Sequence, residues 1–413
     1  MRILSGRQAE AYVRELEQRD SRLKGIELAV REIVDGVRGS GDRALLRFAR
    51  KFDALGSRQK LRVSNAEMET AWKRAPAELR KALLTAEKRI RKFCEWQKPA
   101  AWKRDIDGSI VGQIVRPLDS VGCYVPGGRF PLVSTLLMTV IPAQVAGVKG
   151  IRVVSPRPSS EVMAAAAMLG VQEFYRFGGA HAIAALAYGT KTIPRVQKIV
   201  GPGNLYVTTA KKLIAFHCAI DMLAGPTETL VVSDRGNPQF IAADLVAQAE
   251  HDPETLAVFI TTSRELAGSV QAKVQWLSVA NKLAVSSFQT RGAALVASSR
   301  PQAFDWANRI APEHITIEKR DLDRVRNAGS VFVGDYSAQA AGDYASGPNH
   351  VLPTGGAARY RGGLSVMDFV KLITVQELSR KSLQRLAPAI EKLAVTEGLT
   401  AHADSIRLRC ANA

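Results

Sequence analysis

From about Gly122 onward the chain repeats one unit, in which a short apolar run is followed by a tight turn and a helix of small residues. The unit recurs at residues 151–169, 173–188 and 198–216, and further apolar β-runs lie at 230–232, 257–262, 293–297 and 330–333. Alternating strands and helices are typical of parallel sheets covered by helices, with ligands at the carboxyl ends of the strands. The pattern predicts an α/β protein with parallel sheets covered by helices.

The 413 residues exceed one ordinary domain, so we expect two such sheets. Helical periodicity extends over residues 7–50 and 66–95, with a short strand between them around Arg62, so the first hundred residues should be mainly helical. The last fifty residues also have a helical pattern. The most apolar stretch, 131–148, is interrupted by Pro142 and predicts a core helix rather than a membrane span.

The net charge is +18, from 57 Lys and Arg against 39 Asp and Glu. These cations are spread along the chain without a basic arm, an aromatic-basic repeat or zinc-finger spacing, which favours a basic solvated surface over a nucleic-acid site. The four cysteines form no CxxC pair and the amino terminus has no apolar signal segment. We therefore expect no disulfide framework and a cytoplasmic location.

Two glycine turns are candidates for binding a dinucleotide. Residues 39–44 match the pattern GxGxxA, but an amphipathic helix rather than a strand precedes them, so a helix-terminating turn is the better interpretation. Residues 201–204, Gly-Pro-Gly-Asn, do follow a strand and open a helix, where free backbone amides can meet an anion. Their spacing differs from the dinucleotide fingerprint, so a tight turn and a binding loop remain equally open.

Two pairs of residues in the second half have side chains suited to metal binding and proton transfer. Gln248 and His251 are three residues apart at a predicted helix end, so they share a face and could reach one ion. Glu313 and His314 lie at a predicted helix-to-strand turn. They combine a carboxylate with an imidazole, two groups able to move protons near neutral pH.

Two further segments are notable for the same chemistry. Asp343 lies in a loop, 342–350, that is rich in Gly, Asp, Asn and His, and His402 lies on a polar helix near the carboxyl terminus. Taken singly, each candidate has an ordinary alternative, as a polar helix end, a surface turn, a capped loop or a surface histidine.

In this order these segments resemble the histidinol dehydrogenase family, and the resemblance covers essentially the whole chain. The matching runs are 121–128 (VGCYVPGG), 178–190 (GGAHAIAALAYGT), 199–204 (IVGPGN), 220–228 (IDMLAGPTE), 248–252 (QAEHD), 311–314 (APEH), 342–344 (GDY), 349–354 (NHVLPT) and 397–402 (EGLTAH). Because so many motifs match in the same order, the resemblance outweighs the ordinary structural explanations given above for each segment taken singly.

The resemblance implies oxidation of L-histidinol to L-histidine through L-histidinal, the last steps of histidine biosynthesis, with two NAD and one zinc ion per subunit. It implies that His314 is the general base of the hydride-transfer steps and that Glu313 activates the water that hydrates the aldehyde. Zinc would position the substrate. The implied zinc ligands, which also contact substrate, are Gln248, His251, Asp343 and His402. The other implied substrate contacts are Thr227, His314 and Glu397, and the implied NAD contacts are Tyr124, His181 and Asn204.

The resemblance also implies an architecture of two incomplete Rossmann-like domains in an intertwined homodimer with shared active sites. Glu397 and His402 would then come from the partner subunit. The predicted units are an N-terminal helical arm (1–20), a first domain with the zinc and catalytic residues (21–123 plus 227–364), a second domain with the NAD contacts (124–226) and a C-terminal dimerisation segment (365–413).

The chain departs from the family pattern at three positions. His181 stands where the family usually has glutamine, Thr227 where serine is common, and Pro348 where threonine is frequent. The first two changes motivate one alternative, a dehydrogenase of the same superfamily that acts on another small diol or amino alcohol. The net charge motivates a second, a non-catalytic or nucleic-acid-binding protein, although no nucleic-acid or membrane partner is expected.

Overall fold

The structure is a computed structural model that describes residues 1–19, 25–127 and 132–411. Its strands, in chain order, are β1 (Arg2–Ser5), β2 (Arg62–Val63), β3 (Trp102–Ile106), β4 (Ser109–Pro117), β5 (Ser120–Tyr124), β6 (Gly150–Val154), β7 (Glu173–Tyr175), β8 (Lys198–Val200), β9 (Ala219–Ile220), β10 (Glu228–Val232), β11 (Leu256–Thr261), β12 (Ala293–Val296), β13 (His314–Ile317), β14 (Ser330–Val333) and β15 (Val370–Leu378). Its helices are α1 (Gly6–Glu17), α2 (Glu27–Phe52), α3 (Asn65–Arg74), α4 (Ala77–Gln97), α5 (Val133–Ala146), α6 (Ser160–Met168), α7 (Gly179–Tyr188), α8 (Leu205–Ile214), α9 (Pro238–Ala249), α10 (Arg264–Ser278), α11 (Lys282–Thr290), α12 (Arg300–Ile310), α13 (Gln339–Tyr344), α14 (Arg380–Thr396) and α15 (Thr400–Ala411).

The first sheet combines β1 with strands from the second half of the chain. Its order is β1-β12-β11-β10-β13-β14, and these pairings are parallel. All residues of β10 and β11 are buried, as expected for central strands of a parallel sheet that is covered on both faces. Successive residues of β10 point to opposite faces, so Leu230 and Val231 belong to different hydrophobic clusters.

The second sheet has the order β2-β7-β6-β5-β8-β9, with β2 antiparallel at one edge and parallel pairing elsewhere. Helix α7 is rich in alanine, and α2 and α8 pack against it. The chain reverses direction across the sheet between β5 and β8, as it does between β10 and β13 in the first sheet. The prediction of parallel, helix-covered sheets is confirmed.

A third sheet is antiparallel and was not expected from the sequence. Its order is β15-β4-β3. The prediction that the last fifty residues are helical is wrong at β15, because the β-branched Ile373, Thr374 and Val375 favour an extended chain that pairs with β4. Helices α14 and α15 follow and pack against each other.

The predicted first domain includes residues 21–123, but strands of this segment pair within the second sheet. Strands β2 and β5, assigned there to the first domain, hydrogen-bond within the second sheet, and α2 packs on α7. The reason is that the hydrophobic face of α2 joins the core around α7 and α8. The boundary between residues 20 and 21 lies outside the described residues, and the remaining boundaries stay predictions.

Residues 1–20 are predicted from the sequence to form a helical arm, but the segment begins with a strand, β1. Strand β1 pairs in parallel with β12, and α1 then crosses the first sheet. One face of α1 is buried in the core of that sheet through Ala9, Tyr12, Val13 and Leu16. The segment is therefore part of the first sheet's layer.

Two local predictions from the sequence are confirmed. Gly41 has a φ of 51° and interrupts α2, so the GxGxxA match is a turn between helical segments rather than a dinucleotide loop. The apolar stretch at 131–148 contains α5, whose residues are largely buried. Across the parts of the chain that the structure describes, no helix combines the length and apolar character that a membrane crossing requires.

Candidate active site

The candidate catalytic residues, Glu313 and His314, lie at the amino end of β13, beside the amino end of β10 in the first sheet. Strand β13 begins at His314, directly after Glu313, and its neighbour β10 begins at Glu228, directly after Thr227. The predicted helix-to-strand turn is thus confirmed. The sequence pattern predicts ligands at the carboxyl ends of the strands, whereas these residues lie at the opposite edge; at the carboxyl edge Arg300 pairs with carboxylates.

The Glu313 carboxyl group is held by the backbone of the neighbouring strand. Its Oε2 accepts a hydrogen bond of 3.0 Å from the backbone N–H of Glu228. The residue is buried, and burial raises the pKa of Glu313 to about 8. A carboxyl group in this state can hold or release a proton near neutral pH, which suits exchange with a water molecule.

The His314 ring lies between two carboxyl groups. Its Nε2 is 3.4 Å from Asp343 Oδ1, and its Nδ1 is 3.9 Å from Glu313 Oε2. Nδ1 is buried and has no hydrogen-bond partner among the described residues. Burial lowers the pKa of His314, but the charges of Glu313 and Asp343 outweigh this effect and raise it above its usual value.

Two predicted metal ligands are in direct contact. Gln248, in the last turn of α9, donates from Nε2 to Asp343 Oδ2 on α13 at 2.8 Å. This orientation leaves the side-chain amide oxygen of Gln248 beside the Asp343 carboxylate. Burial would raise the pKa of Asp343, but its hydrogen bond with His314 and the charge of that ring hold it below its usual value. Two neighbouring oxygen donors therefore line this part of the site.

The position of α13 depends on a glycine. A Cβ atom at Gly342 would lie 2.6 Å from the Phe332 ring, a distance that real contacts do not reach. The same Phe332 ring stacks on His314, with ring centroids 5.8 Å apart. Gly342 thus lets α13 lie against Phe332 and bring Asp343 to His314.

The remaining predicted metal ligands do not join this cluster within one chain. His251 is exposed just after α9, and His402 and Glu397 are exposed near α15. Among residues 1–19, 25–127 and 132–411, no group of three or more His, Cys, Asp or Glu side chains is arranged to hold a metal ion. The oxygen donors of Gln248 and Asp343, with imidazoles added, fit zinc, a borderline ion that accepts both oxygen and nitrogen. One chain thus brings together two of the four predicted zinc ligands, Gln248 and Asp343.

The predicted NAD contacts surround the carboxyl edge of the second sheet, at its point of strand reversal. Tyr124 ends β5, and Asn204 caps α8 after the turn that follows β8. Gly201 has a φ of 110°, and a Cβ there would lie 2.1 Å from the Tyr124 carbonyl oxygen. The glycine thus lets the turn after β8 lie against the end of β5, at the reversal point where sheets of this kind bind ligands in a crevice. Gly128, in the adjoining motif 121–128, lies outside the described residues.

His181 is buried rather than open to this crevice. Its exposed fraction is 1%, and its Nε2 lies 2.8 Å from Asp53 Oδ2. The same Asp53 oxygen accepts the backbone N–H of Gly178, and Tyr124 accepts that of Gly179 through its hydroxyl. Asp53 and Tyr124 therefore hold the glycine turn in place, His181 pairs with Asp53, and the contact of His181 and Tyr124 with NAD stays a prediction.

Sequence reasoning missed several residues that organise the site. Arg19 and Glu228 form an ion pair beside Glu313, and Gln339 links α13 to the sheet. His350 donates from Nδ1 to the Asp343 carbonyl oxygen at 2.7 Å and approaches Thr135 of α5. Only His350, within the loop 342–350, carried a signal in the sequence, since the other partners are brought together by tertiary contacts.

Two Rossmann-like sheets, with a buried cluster of a carboxyl group, an imidazole and a carboxylate, place the chain among α/β enzymes equipped for acid–base chemistry. The profile of the family described as histidinol dehydrogenase matches residues 16–410. The chain belongs to the histidinol dehydrogenase family, whose members are oxidoreductases of histidine biosynthesis.

Individual relatives agree with this assignment. The chain is 44% identical to a histidinol dehydrogenase of Synechococcus sp., over 93% of the chain and 92% of the relative. It is 45% identical to that of Geobacter sulfurreducens, over 93% of each. The crystal structure of histidinol dehydrogenase from Elizabethkingia anophelis has a TM-score of 0.94 at 34% identity, covering 99% of this chain and 98% of that one.

Proposed function

We propose that the chain oxidises L-histidinol to L-histidine through L-histidinal and reduces two NAD in doing so. The observation that carries the proposal is the buried cluster of Glu313, His314 and Asp343 in a member of this family. An alcohol oxidation followed by an aldehyde oxidation needs one proton acceptor for hydroxyl groups and one group to activate water. The cluster offers both.

In the first step the substrate hydroxyl loses its proton to His314 while hydride leaves its carbon for NAD, which yields the aldehyde. The Nδ1 of His314 supports this role, because this buried nitrogen has no hydrogen-bond partner in the described parts of the chain. Asp343, beside Nε2, favours the protonated ring that results.

In the second step Glu313 takes a proton from water as the oxygen adds to the aldehyde carbon. The raised pKa of Glu313 supports this role, because a weakly acidic carboxyl group is a better proton acceptor once ionised. His314 then accepts a proton from the hydrated aldehyde as the second hydride leaves for another NAD. The product is the carboxylate, and the two protons taken up by Glu313 and His314 pass on to solvent.

We assign Gln248, His251 and Asp343 as ligands of one zinc ion, with His402 of the partner subunit as the fourth. When bound, zinc would supply a fixed Lewis acid that anchors the substrate's nitrogen atoms. Thr227 and the partner subunit's Glu397 would complete the substrate site. Thr227 precedes β10 beside the Glu313 carboxyl group, which supports its part.

A homodimer with shared sites is part of this proposal. The C-terminal segment supports it, because β15, α14 and α15 leave large apolar side chains in solvent, among them Leu372, Ile373, Leu393 and Leu408. Unburied apolar surface of this kind is typical of an interface. NAD would bind at the crevice of Tyr124, His181 and Asn204, and a cytoplasmic location remains a prediction.

The test combines metal analysis of the purified protein with a steady-state assay of NADH formation. We expect about one zinc per subunit and two NADH per L-histidinol, with much slower turnover of other small diols and amino alcohols. If the protein turns over another diol rapidly and L-histidinol negligibly, the proposal is overturned in favour of a dehydrogenase for that other substrate.

A further inference from the structure

Helices α9 and α13 are joined by two hydrogen bonds that lie one helical turn apart. In the first, Gln248 Nε2 donates to Asp343 Oδ2 at 2.8 Å. In the second, one turn earlier on both helices, the Gln339 backbone N–H donates to Asp244 Oδ1 at 3.3 Å. Because residues four apart share a helix face, both contacts belong to one seam.

The Gln339 side chain connects this seam to the first sheet. Its Oε1 accepts from Thr229 Oγ1 of β10 at 2.7 Å, and its Nε2 donates to Thr316 Oγ1 of β13 at 3.0 Å. The side chain is fully buried, with an exposed fraction of 0%. Since water cannot replace these partners, the amide is satisfied only when α13 lies in its present position.

This contact bears directly on the candidate active site. Thr316 is two residues after His314 on β13, so both side chains project from the same face of the sheet. Gln339 therefore fixes α13 to the face that presents His314. One turn later along α13, Asp343 contacts both His314 and Gln248.

We propose that Gln339 is a positioning residue that sets Asp343 relative to Gln248 and thereby determines the zinc affinity of the site. The inference rests on the proposed function, because it takes Gln248 and Asp343 as zinc ligands. The competing explanation is a buried amide that contributes only to stability. Such an amide would alter unfolding without altering zinc affinity in the folded protein.

The experiment measures zinc dissociation constants of the folded protein by competition with a chromophoric chelator, without turnover. Gln339→Met keeps the size of the side chain and removes its hydrogen bonds, and we expect the dissociation constant to rise about 10- to 100-fold. Thr316→Val removes one hydroxyl of the network and should act in the same direction if Gln339→Met folds poorly. Thr316→Ser keeps the hydroxyl and should retain the wild-type affinity.

Gln144→Met is the matched control, because Gln144 is a partly buried amide in α5 whose two ends are also hydrogen-bonded. It should lower the melting temperature and leave zinc affinity unchanged. If the wild-type protein binds zinc and both Gln339→Met and Thr316→Val bind it equally tightly, this inference is overturned but the proposed function is not. A wild-type protein without zinc affinity overturns the proposed function and this inference with it.

Discussion

Arg19 holds both carboxylate oxygens of Glu228, donating from Nε to Oε1 and from Nη2 to Oε2, each at 2.7 Å. Both side chains are largely buried, and Glu228 Oε1 also accepts the backbone N–H of Gly355. Because the Glu228 backbone N–H donates to Glu313, this pair ties the N-terminal segment to the candidate active site. A parallel two-bond contact of this kind fixes direction as well as distance.

Arg19→Met should lower the free energy of unfolding by about 3–5 kcal/mol, since it leaves the Glu228 carboxylate buried without its partner. Arg19→Lys should recover only part of this loss, because a lysine cannot make the two-bond contact. Urea denaturation measures the change. Arg31→Met, which removes an exposed pair with Glu27, is the control and should cost less than about 1 kcal/mol. An equal, small cost for both variants would contradict the structural role of Arg19.

Glu313→Gln should slow the conversion of added L-histidinal by about 100- to 10,000-fold, the usual contribution of a general base. The first hydride transfer should be affected less, so L-histidinal should accumulate during turnover of L-histidinol. Stopped-flow NADH absorbance and aldehyde trapping measure the two steps. Glu265→Gln, at an exposed position on α10, is the control. Full conversion of L-histidinal by the Glu313 variant would remove this residue from the role.

Subunit mixing tests whether the zinc site is shared between chains. His402→Ala and Asp343→Asn should each lose zinc on dialysis and should each be inactive as homodimers. Hybrid dimers would contain one complete site, so an equal mixture should recover roughly a quarter of wild-type activity if subunits exchange freely. No recovery after verified subunit exchange would mean that both residues act within one chain.

The pairing of Glu10 predicts a loss of stability in acid. Hydrogen bonds from Arg309 and Trp306 lower the pKa of Glu10 from 4.5 to about 2. Because folding lowers this pKa, the pairing stabilises the fold above about pH 4.5, and the stabilisation disappears as the pH falls towards 2. Glu10→Gln should therefore destabilise the protein at pH 5 more than at pH 3, measured by urea midpoints. Glu15→Gln, exposed on the same helix, should show no such difference.

The sequence predicted which candidate residues adjoin along the chain better than where they lie in the fold. Glu313 and His314 are adjacent in the chain, so their proximity and the strand that follows could be inferred directly. Their place at the amino edge of the sheet depends on the order of strands from distant segments, which no local pattern contains. The same limit explains the assignment of β2 and β5.

Buried polar partners were the hardest features to predict. Gln339 lies in an ordinary polar stretch, and its role arises from contacts with Thr229, Thr316 and Asp244. His181 was predicted to contact NAD, yet its nearest polar partner is Asp53, from a different helix end. A local pattern can identify a polar residue, but only the packed chain determines whether it meets ligand or protein.

The pairing of β1 with β12 has a consequence for synthesis of the chain. Arg2 pairs with Ala293 in the sheet. At about 5–20 residues per second, a ribosome needs roughly 15–60 s to synthesise the chain between these two residues. The second sheet uses strands between Arg62 and Ile220, so it can close on the nascent chain while β1 and the apolar face of α1 still lack their partners. The segment formed by β1 and α1 is thus a candidate for chaperone binding until β12 emerges from the ribosome.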